Sequence, residues 1–546
     1  MTYKEKYDEW LSFADEETKK ELLCVCDHTK ELEDRFYKDL AFGTGGLRGV
    51  MGAGSNRMNK YTVGRATLGL AEYLSDKFPD GASVAIAYDT RNHSADFSLA
   101  AARILSAKGI RVYRYKYCVP VPVLSFTTRY LGCSAGIMIT ASHNPKEYNG
   151  YKVYDETGCQ ICTDAAEELL SYINKEEYQA VSQLLDGGNN SLVAEIGDEI
   201  LGEYYKAVRE QSLYTEKSDI KIVYTPLHGT GNIPVREILK NFNVETVKEQ
   251  ELPDGYFSTV RSPNPEEKDA LNIAIETAKK TGADLVLGTD PDCDRVGIAV
   301  RDSNGEYVLF TGNQTGALLV NFVLTMKKDA LNSRSTLVKT IVTSELGANI
   351  ARDFGLNVDE TLTGFKYIGD KMNQYERDGD KEFVIGYEES YGYLVGTYAR
   401  DKDGVVSSML ICQMAAWYKA QGKTLVDGLN KIYDKYGYFL DALDPFVLKG
   451  KDGAEKITAL MDHFRKNGSE IFEGSEDMID YAKGVDDLPI ENVLKFIWSD
   501  GSWVAVRPSG TEPKIKIYYS VRGENRESAH MRLEKIRNTV RSIIES

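Results

Sequence analysis

The chain has 546 residues, of which 42% are hydrophobic and 27% are charged, as expected for a globular protein of several domains. Its formal net charge of −17 disfavours nucleic acid or an anionic membrane as the main partner, because both require a basic protein face. No run of about 18 apolar residues is present, so no membrane-spanning helix is predicted.

Residues 1–38 are charged and helical in pattern, and helix and strand patterns alternate after them. The first block predicts helices over 62–77, 95–108, 164–174 and 199–210 and strands over 84–88, 112–117, 136–140 and 151–154. The next two blocks predict strands over 220–224, 284–287, 336–342 and 382–385 and helices over 235–241, 267–280, 312–327, 365–375, 405–421 and 425–436. This alternation indicates α/β blocks with mainly parallel sheets.

From about residue 438 the pattern changes. Strands are predicted over 492–498, 503–506 and 515–521, followed by a helix over 528–544. Hairpin-like strands with a helix indicate a smaller α+β domain at the end of the chain.

The apolar strand pattern over 136–140 ends in the turn-prone sequence Ala141-Ser142-His143-Asn144-Pro145. In open α/β sheets, ligands bind outside the carboxyl ends of strands. Ser142 is therefore placed where a hydroxyl could do chemistry. Taken alone, the Ser-His pair is more simply read as the start of a turn, so its interpretation depends on motifs further along the chain.

Asp290, Asp292 and Asp294 occupy alternate positions after a strand of the second block. On an extended chain alternate side chains face the same way, which predicts that the three carboxylates converge. Like charges packed together are unfavourable unless a cation joins them, and oxygen-only ligands indicate Mg²⁺, Ca²⁺ or Mn²⁺ rather than zinc. The sequence therefore predicts a divalent metal site.

Three more loops carry groups that suit a sugar phosphate. The loop 507–511 contributes Arg507, Ser509, Gly510 and Thr511, and its guanidinium, hydroxyls and exposed backbone N–H groups are the components of a phosphate cradle. Glu388 and Ser390 are able to accept from and donate to sugar hydroxyls, although taken alone this stretch is more simply read as an ordinary loop. The glycine-rich loop that contains Arg48 suits an anion or an ordinary turn equally well.

Together these loops fit phosphoryl transfer on a sugar phosphate. A serine would carry the phosphoryl group, and a metal beside it would polarise the P–O bond. A carboxylate loop would grip the sugar, and a basic loop would hold a second phosphate that is not transferred.

This ordered set closely resembles the α-D-phosphohexomutase superfamily over essentially the whole chain. Residues 140–145 resemble its phosphoserine loop, 290–295 its metal loop, 386–392 its sugar loop and 507–511 its phosphate loop. Residues 45–48, 149–152 and 363–366 resemble its arginine loop, its active-site lysine and the lysine motif of its glucose enzymes. Tyr387 departs from the glycine that many members have before Glu-Glu-Ser.

The resemblance implies an α/β fold of four domains around a central cleft. Three are related α/β domains with mixed sheets, and the fourth is a smaller α+β domain. We expect domain I at 1–203, with the N-terminal arm and the phosphoserine loop, and domain II at 204–310, with the metal loop. Domain III is expected at 311–437, with the sugar loop, and domain IV at 438–546, with the phosphate loop.

The resemblance also assigns roles to the site residues. Ser142 would carry the phosphoryl group and, with the three aspartates, hold Mg²⁺. Lys152 or His143 would do acid/base work, and Arg48 and Arg295 would stabilise charge on the transferring group. Lys366 would join Glu388, Ser390 and the phosphate loop in binding substrate.

The implied reaction is the interconversion of glucose 1-phosphate and glucose 6-phosphate through glucose 1,6-bisphosphate, in glucose metabolism. Mannose or pentose phosphate remains open as the substrate, and so does a non-catalytic sugar-phosphate sensor. We expect a monomer or weak homodimer. We expect the protein in the cytoplasm, because the first ten residues are too charged for a secretory signal and the cysteines are scattered. The pair Cys159 and Cys162 is interpreted as structural, because no second pair or histidine lies at zinc spacing.

Overall fold

The computed structural model describes residues 1–43, 45–448, 450–509 and 514–545. Four β-sheets follow one another along this part of the chain. No helix in it combines the length and apolar composition that crossing a membrane requires.

The first sheet has seven strands and carries the loop that contains Ser142. The strands are β1 Phe42–Gly43, β2 Gly46–Val50, β3 Ser83–Tyr88, β4 Arg111–Tyr115, β5 Ala135–Ile139, β6 Tyr148–Asp155 and β7 Val193–Ile196. Their order is β1-β2-β6-β5-β3-β4-β7. The four strands from β5 to β7 run parallel, whereas β6 and β2 are antiparallel to their neighbours.

Nine helices in the described residues accompany this sheet. They are α1 Tyr3–Phe13, α2 Glu16–Cys24, α3 Thr29–Phe36, α4 Lys60–Lys77, α5 Ser94–Ala107, α6 Val121–Tyr130, α7 Thr163–Ile173, α8 Tyr178–Leu185 and α9 Asp198–Arg209. The N-terminal arm, α1 to α3, packs through Trp10 and Phe36 against Tyr61 of α4 and Val181 of α8. The predicted helical arm is confirmed.

The second sheet carries the aspartate loop. Its strands are β8 Lys221–Thr225, β9 Asn243–Thr246, β10 Leu285–Thr289, β11 Val296–Arg301 and β12 Tyr307–Phe310, in the order β12-β11-β10-β8-β9. Its helices are α10 Asn232–Ile238, α11 Lys248–Glu251 and α12 Lys268–Thr281. The strand β10 pairs on both edges, with β8 in parallel and with β11 antiparallel, and it is fully buried because its alternate side chains Leu287 and Val286 lie in two different cores.

The third sheet carries the sugar loop. Its strands are β13 Ser335–Thr340, β14 Asn357–Thr361, β15 Glu382–Glu388 and β16 Gly392–Val395, in the order β14-β13-β15-β16. Its helices are α13 Gly312–Met326, α14 Glu345–Asp353, α15 Phe365–Asp378, α16 Gly404–Ala420 and α17 Leu425–Tyr436.

The fourth sheet is fully antiparallel, as the predicted hairpins require. Its strands are β17 Tyr438–Val447, β18 Asp477–Asp480, β19 Leu494–Ile497, β20 Trp503–Pro508 and β21 Lys514–Gly523, in the order β17-β21-β20-β19-β18. The helices α18 Gly450–Ile471 and α19 Arg526–Glu545 cover it. It docks on the third sheet through Val342 and Leu362, which pack with Trp503 and Tyr518.

The first three sheets share one local plan. A central strand (β5, β10 or β15) runs parallel to a neighbour, a short polar loop follows it, and an antiparallel strand returns (β6, β11 or β16). Each loop contains a non-glycine residue with positive φ: Ser142 at 51°, Cys293 at 53° and Tyr391 at 63°. The sheets are therefore mixed and not mainly parallel as the sequence pattern suggested, because the chain turns back after each loop.

Candidate active site

The Ser142 loop, residues 140–145, begins where β5 ends. The hydroxyl Oγ of Ser142 donates to Asp290 Oδ2 at 2.8 Å and lies 3.1 Å from His143 Nδ1. Ser142 is 3% exposed, so the hydroxyl faces a confined space and not bulk water. The structure thus joins the Ser142 loop directly to the aspartate loop of the second sheet.

The aspartate loop brings Asp290, Asp292 and Asp294 together, as predicted. One ligand oxygen from each of them lies within 4.8 Å of the others, and all three residues are buried. The predicted reason is wrong, however, because residues 290–294 form a turn and not an extended segment. The positive φ of Cys293 bends the chain, so that convergence arises from the turn and not from strand alternation.

The carboxylates are suited to a divalent cation. Asp292 Oδ1 and Asp294 Oδ1 are buried without a hydrogen-bond partner. Burial and the neighbouring charge of Asp292 raise the pKa of Asp290 well above its usual value. A bound cation would pair with the orphaned oxygens and reduce the mutual repulsion of the carboxylates.

Two lysines partly balance these negative charges. Lys152 Nζ lies 3.2 Å from Asp292 Oδ2 and 3.7 Å from Asp294 Oδ2, and Lys402 Nζ lies 2.8 Å from Asp294 Oδ2. Burial alone would raise the pKa of Asp294, but Lys402 and Lys152 hold it below its usual value. The cleft therefore has a mixed lining in which ammonium groups sit beside carboxylates.

Two arginines and His143 complete this part of the site. Arg48 Nη1 donates to Asn144 Oδ1 at 3.3 Å, and Arg295 pairs with Glu266. Burial, followed by the charges of Arg295 and Arg48, lowers the pKa of His143 well below its usual value. His143 is therefore a neutral imidazole at neutral pH.

The sugar loop presents Glu388 and Ser390 at the end of β15. Glu388 is 4% exposed, and its Oε1 accepts the backbone N–H of Gly364 at 2.9 Å. Lys366 stands two residues further on, in the first turn of α15, and burial lowers its pKa. The predicted partners Glu388, Ser390 and Lys366 thus line the same side of the cleft.

Glu389 faces the same cleft and was not singled out by sequence. Its Oε2 accepts from Thr343 Oγ1 at 3.1 Å and from Thr340 Oγ1 at 3.2 Å. Burial, and then the charge of Glu388, raise the pKa of Glu389 from 4.5 to about 7. Between these values the folded protein binds a proton that the unfolded chain releases, so this group's contribution to stability falls as the pH rises.

We expect Glu389→Gln to remove that pH-dependent loss. As the pH rises from about 5 to about 8, the free energy of unfolding of the variant should increase relative to that of the wild type by roughly 2 kcal/mol or less. The unfolding midpoints should shift in the same direction. The measurement is thermal unfolding at both pH values, with Glu167→Gln on the exposed side of α7 as the control. If the midpoints of the variant and the wild type differ by the same amount at both pH values, the raised pKa of Glu389 is contradicted.

The phosphate loop begins in the last two residues of β20. Arg507 Nε donates to Glu491 Oε1 at 2.8 Å, and the backbone N–H of Ser509 donates to the carbonyl of Lys514 at 2.7 Å. Gly510 and Thr511 lie outside the described residues. Arg507 pairs across the sheet with Lys516, which makes no ion pair with any described residue and whose pKa is lowered by burial and then by Arg507. Two cations therefore stand side by side at this end of the cleft.

The five loops open onto one cleft of about 710 Å³. Ten predicted residues line it: Arg48, Ser142, His143, Lys152, Asp294, Arg295, Lys366, Glu388, Ser390 and Arg507. Ser509 does not line it, and Asp290 and Asp292 lie behind Ser142. Lys402, Lys516 and Glu389 also line it and were missed, although the two lysines carry the charge that a phosphate ligand needs.

The cysteines agree with the structural interpretation. The thiols of Cys159 and Cys162 lie 3.2 and 3.9 Å from the same carbonyl oxygen, that of Lys366, and all eight cysteines are free. Burial raises the pKa of Cys162 to about 12, which disfavours the reactive thiolate.

Four family profiles match the chain in order. They are described as phosphoglucomutase/phosphomannomutase α/β/α domain I over residues 39–180, domain II over 202–305 and domain III over 311–436, and the C-terminal domain over 451–534. The matched regions together cover most of the sequence.

Relatives of similar length match almost end to end. A phosphoglucomutase of Staphylococcus haemolyticus is 37% identical over 95% of this chain and 97% of its own. A phosphoglucomutase of Staphylococcus aureus (strain MRSA252) is 40% identical over 90% of this chain and 91% of its own.

Solved structures share the fold. The phosphoprotein pp63/parafusin of Paramecium, a phosphoglucomutase in an open form, superposes with a TM-score of 0.71 at 18% identity, covering 92% of this chain and 96% of its own. A phosphoglucomutase/phosphomannomutase family protein of Burkholderia thailandensis superposes with a TM-score of 0.68 at 18% identity, covering 92% of this chain and 97% of its own.

Proposed function

This chain belongs to the phosphoglucomutase/phosphomannomutase family, and from that premise we propose that it is a phosphoglucomutase that interconverts glucose 1-phosphate and glucose 6-phosphate. One observation carries the proposal. The Ser142 hydroxyl is bonded to a buried aspartate cluster and opens onto a cleft that two basic loops and a carboxylate loop also line. The four domains with boundaries after 203, 310 and 437 are part of the same proposal.

Ser142 is proposed to carry the phosphoryl group. In the first step the P–O bond to Ser142 breaks, a P–O bond to the free sugar hydroxyl forms, and the proton that this hydroxyl releases is passed on to Ser142 Oγ. The product, glucose 1,6-bisphosphate, turns around in the cleft. In the second step its other phosphoryl group passes back to Ser142 Oγ, and the proton that Ser142 loses is returned to the exposed sugar oxygen.

Asp290, Asp292 and Asp294 are proposed to hold Mg²⁺ with an oxygen on Ser142, since hard carboxylate oxygens are the ligands this ion prefers. When bound, the ion would supply Lewis acidity at the phosphoryl oxygens. Arg48 and Arg295 would bind negative charge on the same group.

Proton movement is assigned to His143 and Lys152. The neutral His143 Nδ1, 3.1 Å from Ser142 Oγ, would orient the serine O–H. Lys152, which lies between two carboxylates, would accept this proton at the sugar oxygen as the neutral amine and give it up again as the ammonium group.

Substrate binding is proposed to divide between two loops. Arg507 and Ser509, with Gly510 and Thr511, would hold the phosphate that is not transferred, and Lys516 adds a charge there. Glu388, Ser390 and Lys366 would read the sugar. The protein is proposed to act as a monomer or weak homodimer.

The choice of glucose is tested by comparing catalytic efficiency on glucose, mannose, galactose and ribose 1-phosphates. Glu388 and Ser390 must read hydroxyls that survive the turn-around, which in a hexose are those on carbons 3 and 4. Galactose differs at carbon 4, so its efficiency should be lower by roughly a hundredfold or more, because a buried carboxylate loses its partner.

We expect glucose 1-phosphate to be the best substrate. A clear preference for mannose or ribose would replace the sugar but keep the mutase reaction. A preference for galactose would remove the role given to Glu388 and Ser390. Binding of all four sugars without turnover would favour the sensor.

A further inference from the structure

A buried arginine beneath the Ser142 loop has no part in the reaction steps above. Arg91 stands 51 residues before Ser142, between β3 and α5, and its side chain has no exposed surface. Its Nη2 donates to the carbonyls of Ser142 and Asn144, and its Nη1 donates to those of Pro145 and Tyr148 at 2.9 and 3.1 Å. One guanidinium therefore fixes four carbonyl groups of the loop and of the strand that follows it.

The loop needs such support because of its backbone conformation. Ser142 has a φ of 51°, in the left-handed region that a residue with a side chain rarely adopts. Conformations of this kind persist only where surrounding contacts over-determine them. The planar guanidinium offers five N–H donors in a fixed arrangement, which a lysine ammonium does not reproduce.

The same arginine is linked to the aspartate loop through its counter-ion. Asp89 Oδ2 lies 3.3 Å from Arg91 Nε and accepts from Thr140 Oγ1 at 2.7 Å. Thr140 Oγ1 accepts the backbone N–H of Ser142 at 2.8 Å and lies 3.1 Å from Asp292 Oδ2. A continuous set of buried polar contacts thus joins Arg91, the serine and the aspartate cluster.

A residue that belongs to the second sheet's part of the chain covers the arginine. Phe257, which is 1% exposed and follows the second sheet's α11, has its ring centroid 4.9 Å from Arg91 Cζ. Such a cation–aromatic contact is favourable where water is excluded. Phe257 itself has a φ of 47°, so its placement over the guanidinium depends on a backbone conformation that is uncommon for phenylalanine.

We propose that Arg91 is a positioning residue for phosphoryl transfer, which holds Ser142 Oγ in place against Asp290 by fixing the backbone of the Ser142 loop. The proposal rests on the function proposed above. Because the sugar and phosphate loops belong to the third and fourth sheets, loss of Arg91 should lower kcat and leave the KM for glucose 1-phosphate nearly unchanged.

The test is Arg91→Lys against a matched control, Arg65→Lys. Arg65, on α4 beside the first sheet, is a partly buried arginine: its Nε donates to the Glu176 carbonyl at 2.8 Å, its Nη1 donates to Asp39 at 2.7 Å, and its Cζ lies 5.0 Å from the Tyr178 ring centroid. The measurements are kcat, KM, the unfolding midpoint and the rate at which Ser142 is phosphorylated by glucose 1,6-bisphosphate.

We expect Arg91→Lys to lose about a hundredfold in kcat and in the phosphorylation rate, since a displacement of about 1 Å at a reacting group costs that much. Arg65→Lys should lose thermal stability to a similar extent but keep kcat within about threefold of the wild type. If Arg91→Lys does not fold, Phe257→Leu replaces it and should lower kcat severalfold with KM unchanged.

An active wild type together with an Arg91→Lys variant whose kcat equals that of Arg65→Lys would overturn the role of Arg91. If Phe257→Leu is the variant used, a kcat equal to that of the wild type would do the same. A wild-type protein that does not interconvert the two glucose phosphates would instead overturn the proposed function, so the two failures are distinguishable.

Discussion

Replacing Ser142 by alanine should abolish mutase activity and leave the protein folded. The hydroxyl is the only acceptor in the proposed mechanism, so its loss removes the covalent route instead of weakening it. We expect kcat to fall by roughly a thousandfold or more. The measurement is the steady-state conversion of glucose 1-phosphate to glucose 6-phosphate, with the unfolding midpoint recorded for each protein.

Ser408→Ala is the matched control. Ser408 is also buried, but its hydroxyl donates to the carbonyl of Gly404 within α16, in the third sheet's group of helices. We expect this variant to keep its activity and to unfold close to the midpoint of Ser142→Ala. A folded Ser142→Ala protein with substantial turnover would exclude the phosphoserine mechanism.

The second large effect should come from the metal site. Asp292→Asn removes one anionic ligand and leaves a side chain of the same shape, so we expect Mg²⁺ affinity to fall by about a hundredfold or more and activity to fall with it. Chelation of the wild type should abolish activity, and added Mg²⁺ should restore it.

Thermal unfolding provides a readout that does not depend on activity. A ligand that binds the folded state raises the unfolding midpoint, so Mg²⁺ should stabilise the chelated wild type and have little effect on Asp292→Asn. Asp480→Asn, at a buried carboxylate at the end of β18, should respond like the wild type. Full activity after exhaustive chelation, or equal stabilisation of all three proteins, would contradict the metal assignment.

Sequence reasoning located the site loops because each one breaks a strong apolar pattern. The run at 136–140 and the run before Asp290 are nearly continuous in hydrophobicity, and both are buried strands in the structure. The polar residues after them had to lie at a strand end. The bounds of α17 were also predicted correctly, because its apolar residues recur at helical spacing.

The elements that were missed carry weak local signals. Helix α6 begins with Val-Pro-Val after another proline, a composition that indicates an irregular segment, although proline is well tolerated in a helix's first turn. The sequence predicts an extended segment at 290–294, where the structure has a turn. The positive φ of Cys293 could not be predicted, because cysteine is not a residue that usually adopts it.

The residues that were missed act through distant contacts. Arg91 lies far from Ser142 along the chain, and Lys402 meets Asp294 only because the third sheet packs against the second. Lys516 sits beside Arg507 through strand pairing that a single sequence does not reveal. Spacing predicts which groups share a loop, whereas the partners that set their charge and position come from tertiary structure.

The most direct test of the whole account is the mass of the protein after incubation with Mg²⁺ and glucose 1,6-bisphosphate. We predict a gain of one phosphoryl group, mapped by peptide fragmentation to Ser142, and, if that group is isotopically labelled, its replacement by an unlabelled one when unlabelled glucose 1-phosphate is then added in excess. No gain in an otherwise folded protein, or a phosphoryl group on another residue that turns over with substrate, would contradict the central role of Ser142.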